Sequence, residues 1–301
     1  MSRAKVDGKR RRAAPGHEMS GDSFRLGFRF QRHWDVSMAS AFFCGEVGAG
    51  LFLVSMLLGH LAGMVAGLIV GGLGKAFFHL VHMGVPGRSW RAVLRPDRSW
   101  ISRGLIAIVA FTGAGALYVM LAAVGGSGWL SSAIGLLAAA AAVVVMSYQG
   151  FAMAHSTAIG LWSTAMMPFS SFLYALTSGV VLVLFWGGLA STPATDGTLS
   201  AVAIGLLVSL LLMLLSIVHA AFHGSPGARL SAELLIRTRY AGWTYGLVVV
   251  AGVIVPLAML GLWGGATEAR AIAAAGMLAG FFAFRLLVFK AGVYEPVMKL
   301  W

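Results

Sequence analysis

The chain has 301 residues, of which 59% are hydrophobic and only 11% charged, and it carries a formal net charge of +12. So few charges cannot cover a soluble domain of this size, which excludes an ordinary water-soluble globule and points to a membrane protein. The cations lie beside apolar runs and form no independent basic domain, so the positive charge does not indicate nucleic-acid binding.

In chain order, residues 1–35 are basic and poor in apolar side chains up to Phe24. They are expected to be a disordered cytoplasmic tail that orders on lipid or on a partner. The segment is not read as a cleavable signal, because the first apolar run starts far in, lacks a small-residue cleavage site and is long enough to span. Lys9-Arg-Arg-Arg12 resembles a twin-arginine signal only superficially, for the same reason of spacing.

A bilayer core about 30 Å thick takes roughly 20 apolar residues in a helix. Runs of that length fall near 36–58, 64–83, 102–123, 130–152, 168–190, 199–222, 242–263 and 268–290. Backbone polar groups in lipid must be satisfied within each segment, and these runs are about twice the length of barrel strands, so helices are required. The expected architecture is an all-α, eight-transmembrane-helix bundle over 36–291, followed by a short cytoplasmic tail over 292–301. Its many glycines, Gly45, Gly48 and Gly50 among them, read as surfaces where helix backbones approach closely. Cys44 cannot alone hold an iron–sulfur cluster or a structural zinc, and reads as a small packing residue.

Cations collect on one side of the predicted bundle. The leading tail, the second-to-third loop with Arg88, Arg91, Arg95, Arg98 and Arg103, the sixth-to-seventh loop with Arg229, Arg237 and Arg239, and Lys299 all share it. The opposite loops contain a single Lys or Arg, Arg270. The positive-inside trend then places both termini in the cytoplasm, with a basic face suited to anionic lipid or an acidic soluble partner.

Ionisable groups at membrane depth each cost about 2.5 to 3.5 kcal/mol on insertion scales, so each calls for a reason. Glu46 lies about 15 Å into the first span at helical rise, and Lys75 is about as deep in the second. An ion pair between them, a proton-transfer site, or a neutral Glu46 bonded to helix backbone are the readings the residues allow. Lys75, His79 and His82 follow i, i+4, i+7 spacing, a one-sided stripe able to carry protons from mid-membrane towards the basic side. Tyr148, His155, His219, His223 and Arg285 fall in the same half of the bilayer. No phosphate loop, nucleophile elbow or metal-hydrolase helix is present.

Three stretches give the chain a likeness to a known family. His82-Met-Gly-Val-Pro-Gly-Arg-Ser-Trp-Arg-Ala-Val-Leu-Arg-Pro-Asp-Arg-Ser-Trp-Ile-Ser-Arg103 resembles a family loop that runs from a His-Leu-Gly-Arg-Pro-like start to a Ser-Trp-Leu-Ser-Arg-Glu-like finish. Tyr148-Gln-Gly-Phe151 with Ala158-Ile-Gly-Leu-Trp162 and Met167-Pro168 is similar to its fourth-to-fifth junction, and Trp243 to Pro256 is similar to its seventh span. The family is the membrane-anchor superfamily of polysulfide reductase and dimethyl sulfoxide reductase.

The resemblance implies a membrane subunit that exchanges electrons between ubiquinone or menaquinone and a ferredoxin-like iron–sulfur partner, itself wired to a molybdopterin catalytic subunit. It implies that His82 and Tyr148 bind quinone, with His79 beside them, and that no metal or haem is bound by this chain. Glu46 and Lys75 are expected to handle protons, and Arg88, Arg91, Arg95, Arg98 and Arg103 to dock the partner. His155, His219, His223 and Arg285 are further candidates. The expected location is a bacterial cytoplasmic membrane, in anaerobic or sulfur respiration, with relatives such as sulfite dehydrogenases or phenylacetyl-CoA oxidoreductases. The chain departs from the family in having Gly104 where a glutamate often follows Ser-Arg, and in placing Glu46 within a glycine-rich first span. The competing classes are a di-haem quinol oxidoreductase with His79 and His219 as axial ligands, an ion-coupled transporter with Glu46 and Lys75 at a midplane site, and a passive anchor.

Overall fold

A computed structural model describes residues 27–187 and 193–295. Among the described residues, eight helices are long and apolar enough to cross a bilayer: α1 (Val36–Leu57), α2 (Leu61–His82), α3 (Trp100–Ala123), α4 (Trp129–Ala154), α5 (Met166–Gly187), α6 (Pro193–Phe222), α8 (Ala241–Trp263) and α9 (Thr267–Lys290). The protein is an all-α, multi-pass membrane protein. A ninth helix, α7 (Pro226–Ile236), lies in what the sequence suggests is a plain loop. Ser225 caps its amides, Pro226 opens its first turn, and the Glu295 carboxylate accepts from Ser225 Oγ and from the Gly227 amide. At about 16 Å it is too short to span.

The helices are not equivalent. α1, α5 and α9 are mostly buried, while the other five keep most of their windows exposed and enclose them. Glycine sets the central contacts. A Cβ on Gly50 would collide with the Ala175 carbonyl of α5, one on Gly179 with the Gly50 carbonyl, and one on Gly48 with the backbone of Gly71 on α2. Small residues of this kind let backbones touch where lipid offers no hydrophobic drive to associate. α1 begins at the Asp35 cap, which accepts from the Ser37 and Met38 amides, and stops where Gly59 adopts φ of 67°.

Two spans carry wide π-helical turns that periodicity does not foretell, Ile69–Gly74 in α2 and Thr244–Ile254 in α8. The first delivers Lys75 to the bundle interior. The second leads into Pro256, which has no N–H to donate to the carbonyl four residues earlier.

The first and last described segments meet on the basic side. Strand β1 (Arg29–Phe30) pairs antiparallel with β2 (Val293–Tyr294), and Ile159 bridges Tyr294. Residues 27–35, assigned by composition to a free tail, are therefore part of the folded body. Gln31 is buried and donates to the Trp34 and Phe289 carbonyls, and Trp34 packs on Trp162 and Phe289 at centroid distances of 4.9 and 5.2 Å. The aromatic and amide side chains override the basic composition around them. Of the 292–301 tail, residues up to Glu295 join this cluster; residues 1–26 and 296–301 lie outside the described residues.

Replacing Gly50 with Leu should abolish or sharply lower the melting of the detergent-solubilised protein, because the clash is with backbone. Gly113 faces open space, and Gly113→Leu should melt like the parent; equal behaviour of the two variants would contradict this packing.

Candidate functional site

The site grows from the first two helix ends. Asp35 caps α1, and its Oδ1 also accepts from Ser37 Oγ at 2.5 Å. His82, the last residue of α2, brings Nδ1 to 3.0 Å from Ser37 Oγ and 3.3 Å from Asp35 Oδ1. The Ser37 hydroxyl proton is already given to Asp35, so a proton on His82 Nδ1 satisfies both oxygens and leaves Nε2 as an acceptor. The Ser37 hydroxyl, with the amides of Met38 and Ser37 and the neighbouring His82, holds the Asp35 carboxyl below its ordinary range. Asp35 therefore stays ionised through neutral pH, and this contact is lost as pH falls through and below the usual carboxylate range.

Beside His82 lies an apolar cavity of about 190 Å³ between α1, α2, α3 and α4. Trp34, Met38 and Phe42 line it together with His79, His82 and Tyr148. The three residues expected to act together from sequence thus share one cavity. Gly104 explains the position of the phenol ring, since any Cβ there would strike it. Trp100, also on α3, stacks on Phe151 at 4.3 Å and 11° near the mouth.

Lys75 lies under the cavity and is fully buried. Its Nζ is 5.5 Å from the Phe42 ring and 5.2 Å from the Tyr148 ring, both cavity-lining groups. It donates to the Ala41 carbonyl at 3.1 Å and to Gln149 Oε1, while Gln149 Nε2 donates to the Phe42 carbonyl. The expected Glu46–Lys75 ion pair does not form. Glu46 instead accepts two hydrogen bonds of 2.8 Å from Arg285 Nε and Nη2, and Nη2 also donates to Ser171 Oγ at 2.8 Å. All three residues are fully buried. The guanidinium fork matches both carboxylate oxygens, which a lysine ammonium cannot do.

The remaining candidates fall elsewhere. His155 is an exposed cap at the end of α4. His219, on the last turn of α6, and His223, just past its end, are exposed, with their rings tilted at 36° and 4.3 Å apart, away from the cavity His79 lines. Spacing placed them at the right depth but not at the right azimuth. In the loop, Arg88, Arg91, Arg95 and Arg98 are exposed, whereas Arg103 turns inward, donates to the Pro96 and Asp97 carbonyls and covers Trp100. Arg103 thus folds the loop. Ser102 assists from beneath by donating to the Ala92 carbonyl at 2.5 Å.

Asp35, Ser37, Gln149 and Ser171 were missed in the sequence, for they are common polar residues without a spacing signal. The Asp35-Val-Ser37 capping pattern ahead of an apolar run was the one cue available. No group of three His, Cys, Asp or Glu side chains able to hold a metal occurs among the described residues. Neither a protein-family model nor a curated protein matches this chain.

Arg285→Leu should cost about 3 to 5 kcal/mol, because it strands a buried carboxylate. Combining it with Glu46→Gln should restore most of the lost thermal stability; a single variant that melts like the parent would show that the pair carries no weight. Asp35→Asn keeps an amide-capping oxygen and should leave melting nearly unchanged, whereas Asp35→Ala should lower stability by about 1 kcal/mol.

Proposed function

We propose that this chain is the quinone-binding membrane subunit of a multi-subunit molybdopterin and iron–sulfur oxidoreductase, exchanging electrons between the quinone pool and a partner iron–sulfur protein. The observation that carries the reading is the convergence of His79, His82 and Tyr148 on one apolar cavity under a basic loop. The likeness of residues 82–103, 148–168 and 243–256 to the polysulfide reductase anchor superfamily supports it.

The cavity walls suit a flat, apolar head group, and the polar groups sit where its oxygens need them. When bound, a quinone supplies the two-electron, two-proton couple. The chain's part is to bind and to move protons. Tyr148 offers a phenol donor, and His82, with Nδ1 held by Asp35 and Ser37, presents Nε2 to accept a proton from a quinol hydroxyl or to return one. His79 and Lys75 continue the polar path inward. Glu46 is committed to Arg285, so its role is structural and the proton path does not include it.

Arg88, Arg91, Arg95 and Arg98 form the docking face for an acidic ferredoxin-like partner, which connects to the molybdopterin catalytic subunit. The one-sided cations support a cytoplasmic position for this face and for both termini, and the family likeness supports a bacterial inner membrane. The di-haem reading loses support, because the cavity lined by His79 does not include His219.

In the assembled complex, His82→Ala and Tyr148→Phe should each lower quinone-coupled turnover by about a hundredfold, the scale of a lost proton-transfer group. Turnover of the catalytic subunit with a soluble electron mediator should be unaffected. Undiminished quinone turnover in both variants would sink the assignment.

A further inference from the structure

A second opening lies on the other half of the bundle. It is a slot of about 210 Å³ between α6, α7, α8 and α9, almost wholly apolar, lined by Leu215 and Val218, Ile236, Tyr245, and Phe284 and Val288. Leu215 and Tyr245 are more than half exposed, so the slot opens towards lipid. It runs from Leu211 to Val218 along α6, about 10 Å at helical rise. A helix is about 10 Å wide and cannot enter so small a volume, whereas a single hydrocarbon chain can.

The mouth of the slot carries charge. Ile236 lines it, and the chain then continues into Arg237 and Arg239, both exposed and neither in an ion pair among the described residues. Their guanidinium groups rest over aromatic rings, Arg237 at 4.9 Å from Phe222 and Arg239 at 5.5 Å from Tyr240, which holds them at the membrane surface. Trp243 and Tyr245, both exposed, mark that surface as the interfacial zone. Thr244 lines the slot, and its hydroxyl has no hydrogen-bond partner among the described residues. A buried donor of this kind calls for an acceptor.

We infer that this slot is a binding site for one anionic phospholipid, with an acyl chain between α6 and α9, its phosphate on Arg237 and Arg239, and a glycerol-ester carbonyl accepting from Thr244. The three features occur in the order in which a phospholipid presents tail, ester and phosphate. The site is separate from the cavity of His82 and Tyr148 and does not depend on quinone chemistry.

The test is native mass spectrometry and thermal melting of the full chain in detergent, with phosphatidylglycerol or phosphatidylcholine added. Retention of phosphatidylglycerol over phosphatidylcholine, and a larger upward shift in melting with it, is expected. R237Q/R239Q should lose that preference, and R95Q/R98Q, on the distant loop, should keep it. Leu215→Trp fills the slot and should abolish retention of both lipids. Equal retention of the two lipids by the parent chain, a preference that survives R237Q/R239Q, or one that disappears in R95Q/R98Q would overturn the site.

Discussion

The bonded pair of Glu46 and Arg285 is the constraint around which the bundle is arranged. Two opposite charges at the centre of an apolar body are tolerable only in register, since either one alone keeps its full desolvation penalty. Two 2.8 Å contacts to one carboxylate fix the relative rotation and depth of α1 and α9, and Ser171 adds α5 to the same knot. These three helices are the buried ones, and glycine contacts at Gly50 and Gly179 bring the backbones of α1 and α5 together beside the pair. The cost of burying ions here is offset by geometry, and what results is specificity of register.

Once α1 is set, its other positions acquire their roles. One turn above Glu46, Phe42 faces the cavity, then Met38, then Trp34, and Asp35 closes the helix at the level of His82. On the facing helix, the wide turn through Gly71, Gly72 and Gly74 shifts Lys75 into the interior against Gly45, where it meets neutral oxygens and ring faces. The polar groups thus form a graded series along one axis: an exposed carboxylate, two histidines and a phenol, a buried amine held by an amide, and last a closed ion pair. Each step inward exchanges exposure for burial, and the innermost guanidinium still keeps its Nη1 without a hydrogen-bond partner among the described residues.

The surface divides in the same sense. Basic residues, the paired strands β1 and β2, helix α7 and both openings lie towards one face, while on the other Arg270 is engaged by Asp196 at 2.9 Å and the Gly264 carbonyl at 2.7 Å. The pairing of β1 with β2 and the ring cluster of Trp34, Trp162 and Phe289 make the basic face a folded surface.

Apolar run length already contained the eight spans, because a bilayer imposes one length on any helix that crosses it, and the gathering of arginines on one face was legible from their order along the chain. Relative level was legible too: Lys75 meets Gly45, the neighbour of Glu46, and its Nζ lies 5.2 Å from the Tyr148 ring. Azimuth was not, since a helical period says which residues share a face but not which neighbour that face meets. For that reason Glu46 found Arg285, 239 residues away, and Lys75 found Gln149. The same limit hid the departure of His155, His219 and His223 from the cavity, the inward turn of Arg103, and the folding of residues 27–35 onto the bundle. Contacts among helices are decided by backbone approach at glycines and by the pairing of buried charge, and both exist only once the helices are together.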